Sequence, residues 1–211
     1  MLVAVAEPHS NTVIIKEIPA SHIIVKRIMD LAISIIALPV ALPLMVLGCI
    51  AMLFTSKGPA IFRQKRVGLN GKPFTMYKIR TMVHSKDGYV NHTVVNDGRI
   101  TKVGQILRKT KIDELPQMFN VIKGDMSIIG PRPERIEIVE EFTKKHDYYK
   151  YRHLVKPGIT GWAQVHKPMA TPDQNLEKLE YDLYYINNHS LGLDVKILAK
   201  TVGVVKNLES L

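Results

Sequence analysis

Hydrophobic and polar positions change rhythm several times along this chain. The first 20 residues are mixed, hold Pro8 and Pro19, and predict little beyond an extended piece at Thr12–Ile15. Leu31–Phe54 then runs for 24 residues without a charge. Roughly 20 apolar helical residues cross a bilayer core, so this run reads as a membrane element. It starts too late and is too long for a secretory signal, and no small-residue cleavage site follows it, so it is expected to be retained. Its helix should begin between Ser21 and Lys26 and end at Ser56-Lys57-Gly58-Pro59, where glycine and proline stop it.

Shorter periods follow. Ala60–Phe62 and Lys72–Ile79 read as extended segments around a Gly68-Leu69-Asn70-Gly71 turn, and Thr81–Asp97 as a polar loop. Helical spacing predicts Thr101–Lys109, Glu114–Ile122, Glu134–Lys145, Leu176–Asn187 and Asp194–Leu208 as helices. The last puts Ile197, Leu198, Thr201, Val202 and Val205 on one side, a face suited to the body or to a membrane surface. The expected fold is mostly α with short β segments (α+β). Residues 1–20 form a lead, 21–57 a membrane element and 58–211 a catalytic or binding body.

Two forms of the membrane element fit the pattern. One is a spanning helix. The other is a re-entrant hairpin, because Pro39 and Pro43 each remove a backbone donor near the middle. The flanks are basic on both sides, with Lys26 and Arg27 before the run and Lys57, Arg63, Lys65 and Arg66 after it. Basic flanks favour the cytoplasmic side, here for both ends. Asp30 at the start of the run reads either as a first-turn helix acid or as a partner of Lys26 or Arg27.

Charge sharpens this picture. The net charge is +10, and residues 61–135 alone hold 15 Lys/Arg against 6 Asp/Glu. The basic excess therefore lies just past the membrane element, where it attracts phosphorylated substrates, anionic lipid heads or nucleic acid. The one cysteine, Cys49, excludes an intrachain disulfide, and no CxxC or His/Cys cluster has metal spacing.

Inside the basic block sits the acidic pair of Lys111-Ile112-Asp113-Glu114-Leu115-Pro116. One reading is architectural: Asp113 as N-cap, Glu114 as first-turn acid, Pro116 at a helix start. The other is chemical. A carboxylate beside Arg108, Lys109 and Lys111 stays ionised, so it can attack phosphorus or hold Mg²⁺ together with substrate phosphate oxygens. Gly130-Pro131-Arg132-Pro133 presents Arg132 from a stiff turn, either as a surface arginine or as a bidentate phosphate ligand. Tyr77-Lys78-Ile79-Arg80 alternates cations on an extended segment. Lys156–Val165 carries the one tryptophan, Trp162, beside a glycine-containing loop that either wraps a ligand or packs in the core.

From about Lys26 onward the chain resembles the bacterial sugar transferases, monotopic polyprenyl-phosphate phosphoglycosyltransferases of the small, minimal form. The resemblance rests on Lys26-Arg27-Ile28-Met29-Asp30, Phe62-Arg63-Gln64-Lys65-Arg66-Val67-Gly68, Tyr77–Met82, Ile112–Gln117, Phe119–Ser127, Gly130–Pro133 and Pro157–Val165, in the family's order. It implies a re-entrant helix hairpin broken at Pro43, although Leu42 stands where some relatives have serine. It also implies a catalytic domain with interfacial amphipathic helices on the cytoplasmic face of the bacterial inner membrane. The implied reaction moves a sugar-1-phosphate from a UDP-sugar to undecaprenyl phosphate through a covalent aspartyl intermediate, releasing UMP. Asp113 and Glu114 would be catalytic and hold Mg²⁺, while Arg108, Arg132, Lys78 and Arg80 would bind phosphate. Membrane lipids are implied partners and nucleic acid is not; a homo-oligomer is compatible with the reading. Exopolysaccharide, capsule, O-antigen (lipopolysaccharide) and glycoprotein assembly all use such a step. The competing expectation is a membrane-anchored basic protein that binds anionic lipid or nucleic acid, with Asp113 as a helix cap.

Overall fold

The charge-free run folds into one long helix, α1 (Ala20–Thr55), among the described residues the only helix long and apolar enough to cross a membrane. The computed structural model describes residues 3–5, 13–83, 97–168 and 174–206. At about 1.5 Å per residue, 36 residues extend ~54 Å, well beyond the ~30 Å of a bilayer core. Pro39 and Pro43 lie inside the helix, and helical backbone continues through both. The expected break at Pro43 is therefore not an interruption of the helix. The missing proline donors leave the carbonyls of Ile35 and Pro39 without their usual partners.

One stripe of α1 is covered by the rest of the protein from Asp30 to Met52. Asp30, Ser34, Ala41, Met45, Gly48 and Met52 are buried, with Ala37 and Leu38 packed between them, a spacing of three and four residues that keeps to one face. The opposite face exposes Ile24, Ile28, Ile35, Ile36, Val40, Leu47 and Phe54. At the N-terminal end, Lys26 donates to Asp194 (2.9 Å), and Arg27 donates to the carbonyls of Val121 and Ile122. Asp30 accepts from the Ser127 hydroxyl and the Ile128 amide, both at 2.9 Å, and so serves neither as a helix-dipole acid nor as the partner of Lys26 or Arg27. At the far end, Arg80 donates to the carbonyls of Ser56, Lys57 and Gly58.

The body is built from short elements. Antiparallel β1 (Val3–Val5) and β2 (Val13–Ile15) pair at the N-terminus. β3 (Ile61–Val67) and β4 (Pro73–Ile79) form a hairpin over a turn in which Asn70 takes positive φ. α2 (Lys102–Lys109) is capped by the Thr101 side chain, and α3 (Gln117–Lys123) ends at Gly124 with φ 96°, the left-handed exit that glycine favours. β5 (Ser127–Ile129) pairs in parallel with β6 (Gly158–Thr160). A Cβ on Gly158 would stand 2.1 Å from the Gly130 nitrogen, so the Gly158 loop is a packing device that lets two backbones meet. α4 (Ile136–Lys145), α5 (Trp162–His166), α6 (Asn175–Asn187) and α7 (Leu191–Lys206) complete the chain, with a 3₁₀ segment at Asp147–Leu154. The main core gathers Phe74, Met76, Val121, Met126, Ile129, Trp162, Tyr185 and Ile197, so Trp162 is a core residue. The fold is mostly helical with short strands, the α+β class expected.

Candidate active site

Asp113 and Glu114 lie in a 3₁₀ turn (Ile112–Glu114) between α2 and α3. The chain enters this turn through Lys111, whose φ of 58° is left-handed. A non-glycine residue there costs on the order of 1 kcal/mol and marks a backbone held by its surroundings. The N-cap position of α3 is Pro116, which supplies no side-chain cap, and the 3₁₀ turn has none either. Asp113 is therefore not a helix cap: it is buried, and its Oδ1 has no hydrogen-bond partner among the described residues.

Glu114 is held by two cations from distant parts of the chain. Lys78 Nζ reaches its Oε1 at 2.7 Å from β4, and the Arg132 guanidinium reaches the same oxygen at 2.8 Å from the Gly130–Pro133 turn. Asn120, wholly buried on α3, ties β4 in place by accepting from the Tyr77 amide and donating to the Thr75 carbonyl. A small cavity opens where these elements meet, lined by Arg66, Met76, Lys78, Gln117, Arg132 and Pro133. Gln117 Nε2 is buried there without a partner, so an unmet donor lines this cavity and an unmet acceptor lies in the adjoining turn. Buried polar groups left this way call for a further partner, such as a water, an ion or a substrate oxygen.

The electrostatics divide the two carboxylates. Burial alone would raise Glu114, but Arg132, Lys78 and Lys111 outweigh it and hold this carboxyl well below the usual carboxylate range. Burial raises Asp113, opposed by Lys78 and reinforced by the Glu114 charge. Burial lowers the Lys78 amine against the pull of Glu114, while Glu114 raises Arg132. Glu114 is thus the fixed counter-ion, and Asp113 the more basic, less committed carboxylate. Arg108 donates from Nε to the Thr81 hydroxyl (2.8 Å), and Asp113 is the anion that acts on it most strongly.

Arg80 stands apart. It is buried, and its terminal nitrogens are spent on the three carbonyls that follow α1. It serves as the C-terminal clasp of α1, and the structure engages its terminal nitrogens there rather than in the cavity beside Glu114. Pro43 sits inside α1, away from the carboxylate turn in sequence and within a helical stretch. The polar stretches Asp87–Asp97 and His166–Gln174, where sugar contacts would be sought, lie largely outside the described residues. Arg66, read from the sequence only as a basic flank of the apolar run, lines the cavity together with Gln117, whose only signal is its place directly after Leu115-Pro116.

An apolar groove runs beside this site. It is lined by Leu42, Met45, Cys49 and Ile50 of α1, by Tyr77, the neighbour of Lys78, and by Pro116 and Phe119 close to the carboxylate turn. No group of three or more His, Cys, Asp or Glu side chains suited to a metal occurs among the described residues. The acidic donor set is the Asp113–Glu114 pair alone, which suits an ion that completes its shell with substrate oxygens, as Mg²⁺ does.

The bacterial sugar transferase family profile matches residues 21–207. The chain is 45% identical over 183 residues to the UDP-N-acetylgalactosamine-undecaprenyl-phosphate N-acetylgalactosaminephosphotransferase of Aeromonas hydrophila, covering 86% of this chain and 43% of that protein. It is 42% identical over 183 residues to the UDP-glucose:undecaprenyl-phosphate glucose-1-phosphate transferase of Escherichia coli (strain K12), covering 85% of this chain and 39% of that protein. Against a sugar transferase of Bacillus subtilis (strain 168), EpsL, identity is 44% over 180 residues, covering 85% of this chain and 86% of that one. The chain thus spans about two-fifths of the length of the first two relatives. With the family profile matched over nearly its whole length, this chain belongs to the bacterial sugar transferase family.

Proposed function

We propose that this protein transfers a sugar-1-phosphate from a UDP-sugar to undecaprenyl phosphate at the cytoplasmic face of the bacterial inner membrane. The observation that carries the reading is the division of the carboxylate pair: Glu114 is locked by Lys78 and Arg132, while Asp113 Oδ1 is buried and unpartnered beside them. Asp113 attacks the sugar-bearing phosphorus of the donor. A new Asp113 oxygen–phosphorus bond forms, and the bond from that phosphorus to the bridging oxygen breaks, releasing UMP. An oxygen of undecaprenyl phosphate then attacks the same phosphorus and returns the carboxylate, leaving undecaprenyl-diphosphate-sugar. Arg132, Lys78 and Arg108 hold phosphate oxygens and offset the charge that builds on them. Gln117 donates to a substrate oxygen from the cavity wall. Asp113 and Glu114 are the residues that would hold Mg²⁺, whose chemistry here is to neutralise the diphosphate.

The lipid side of the reading is supported by the apolar groove lined by Pro116 and Phe119, which follow the Asp113–Glu114 turn directly in the chain, a trough suited to a prenyl tail. One-sided membrane seating is supported by α1. Both of its ends are fastened to the same body, through Lys26–Asp194 and through Arg80, and body packing continues between them. A helix crossing the bilayer away from a one-sided body would leave half its length without such a stripe. In this reading the exposed stripe of α1 enters the membrane, and both ends stay on the body's side.

The test is UMP release by the detergent- or nanodisc-purified protein with Mg²⁺, undecaprenyl phosphate and a panel of UDP-sugars. Lipid-dependent release with one donor, lost in Asp113→Asn, is expected. Release from no donor, or release unchanged in Asp113→Asn, removes the reading and favours an anchored binder of anionic ligands.

A further inference from the structure

Arg132 reaches Glu114 from a turn whose own backbone is gripped at four consecutive carbonyls. The Gly158 amide donates to the Pro131 carbonyl (2.9 Å), Arg152 to that of Arg132 (3.1 Å), Arg66 to that of Pro133 (3.0 Å), and the Val67 amide to that of Glu134 (3.0 Å). Two of these grips come from β3 and its terminal residue, one from β6, and one from the 3₁₀ segment Asp147–Leu154. Pro131 and Pro133 also fix φ on either side of Arg132. The carbonyl of Arg132 itself is the one held by a side chain that is out of reach of solvent.

That side chain is unusual in its setting. Arg152 and Asp182 are 4% and 1% exposed, and Tyr149 is fully buried. Arg152 donates from one terminal nitrogen to the Tyr149 hydroxyl (2.6 Å) and from the other to Asp182 (2.8 Å) and the Arg132 carbonyl. A buried ion pair is a poor stabiliser, because desolvation of both charges offsets their attraction. Stability alone therefore gives little reason for an arginine here. Its fork has a geometric use: one arm is anchored by the Tyr149 hydroxyl, the other by Asp182 of α6, and the Asp182-anchored arm points its remaining hydrogen bond at the residue that carries the phosphate-facing guanidinium.

We infer that Arg152, held by Asp182 and Tyr149, is a positioning residue that sets where the Arg132 guanidinium stands over Glu114 and the transferred phosphoryl group. The inference rests on the proposed transferase reading for the role of Arg132. It gives α6 and the Asp147–Leu154 segment a function in the reaction, although neither contributes a side chain to the cavity.

The test is a double-substitution cycle on UMP release with Arg152→Lys and Arg132→Ala, singly and together. Arg152→Lys alone should slow release by on the order of 10²-fold, the loss that attends a misplacement of about 1 Å in a catalytic group. In the Arg132→Ala background, read at high enzyme concentration, the same substitution should cost less than about 2-fold, since independent sites multiply and a shared path does not. Equal losses in both backgrounds, or an Arg132→Ala enzyme as fast as wild type, would overturn the inference. If Arg152→Lys does not fold, Tyr149→Phe removes one bond to the fork and keeps the ion pair. A several-fold loss is then expected in wild type and none in Arg132→Ala, with equal losses again overturning the inference. Absence of UMP release from the wild type with every donor sinks the transferase reading itself, a different result from equal losses in a working enzyme.

Discussion

Two buried carboxylate clusters of this protein are built from similar parts and arranged for opposite ends. At the start of α1, Asp194 accepts from Lys26 on one oxygen (2.9 Å) and from the Tyr185 hydroxyl on the other (2.8 Å). Between α2 and α3, Glu114 accepts from Lys78 and Arg132 on a single oxygen, and its neighbour Asp113 has an oxygen with no partner at all. The first cluster is closed: both oxygens are engaged, and its product is the docking of a membrane helix on a body. The second is open: one Asp113 oxygen lacks a hydrogen-bond partner, and the cations that hold Glu114 line a small cavity next to it. Buried charge paired on all sides rigidifies a fold, whereas the same charge left one bond short has capacity for a further partner.

The sharpest way to break this comparison is Asp113→Asn. UMP release should fall by at least about 10³-fold, as for loss of a covalent nucleophile. Stability should not fall with it, because burial disfavours the Asp113 charge by more than the nearby cations favour it, and the substitution removes that charge. The pH dependence carries the sign. The Asp113 carboxyl is raised in the folded protein, so its contribution is complete at low pH and is lost as pH rises through the folded value. Wild type and Asp113→Asn should therefore melt alike in acid, with wild type falling behind as Asp113 ionises; thermal melts across pH read this directly. Glu114 behaves oppositely, its depressed carboxyl adding stability above the ordinary carboxylate range that disappears only as pH falls through the depressed value.

Asp194→Ala is the matching break in the closed cluster. It strands Lys26 and should cost about 3–5 kcal/mol of stability, the usual penalty for removing one member of a buried pair. Denaturant titration measures that loss, and turnover per folded molecule should stay near wild type. A collapse of turnover at full stability would erase the distinction between the clusters.

Lys78→Met should slow UMP release by about 10- to 100-fold, equivalent to the ~1.5–3 kcal/mol of a hydrogen bond to a charged group. Lys26→Met, its counterpart in the closed cluster, should move the melting temperature and not the rate. The smallest effect is expected at Phe119, a half-exposed wall of the apolar groove. Phe119→Ala should raise the KM for undecaprenyl phosphate by up to about 10-fold through lost apolar contact, while UMP exchange into the UDP-sugar stays unchanged without lipid. An altered exchange rate would place Phe119 on the sugar side.

How much of this was legible in the chain differs by element. α2 was expected at Thr101–Lys109 and is found at Lys102–Lys109, because its apolar spacing and Thr101 cap are local. β3 extends to Val67 although only Ala60–Phe62 read as extended; Arg63, Lys65 and Arg66 look like a loop until β4 pairs with them. The helix expected from Glu114 begins at Gln117, since Lys111 and the Ile112–Glu114 turn divert the chain first. The helix expected from Glu134 begins at Ile136, because the residues before it are held by carbonyl contacts to other elements. Asp113 and Glu114 stood out as an adjacent pair in a basic block, yet nothing local separated a helix cap from a nucleophile.

By itself, then, the sequence determined the membrane helix, the kinds of element that follow it and the acidic pair at the centre of the basic region. Each of those follows from residues a few positions apart. Tertiary structure alone decided that Lys78 and Arg132, 36 and 18 positions from Glu114, converge on one of its oxygens. It also turned Arg80 into a clasp for α1, took Asp30 away from Lys26, and left the Asp113 Oδ1 without a hydrogen-bond partner. These outcomes depend on which elements pack together, and a charged side chain chooses its partner from whatever that packing brings within about 3 Å.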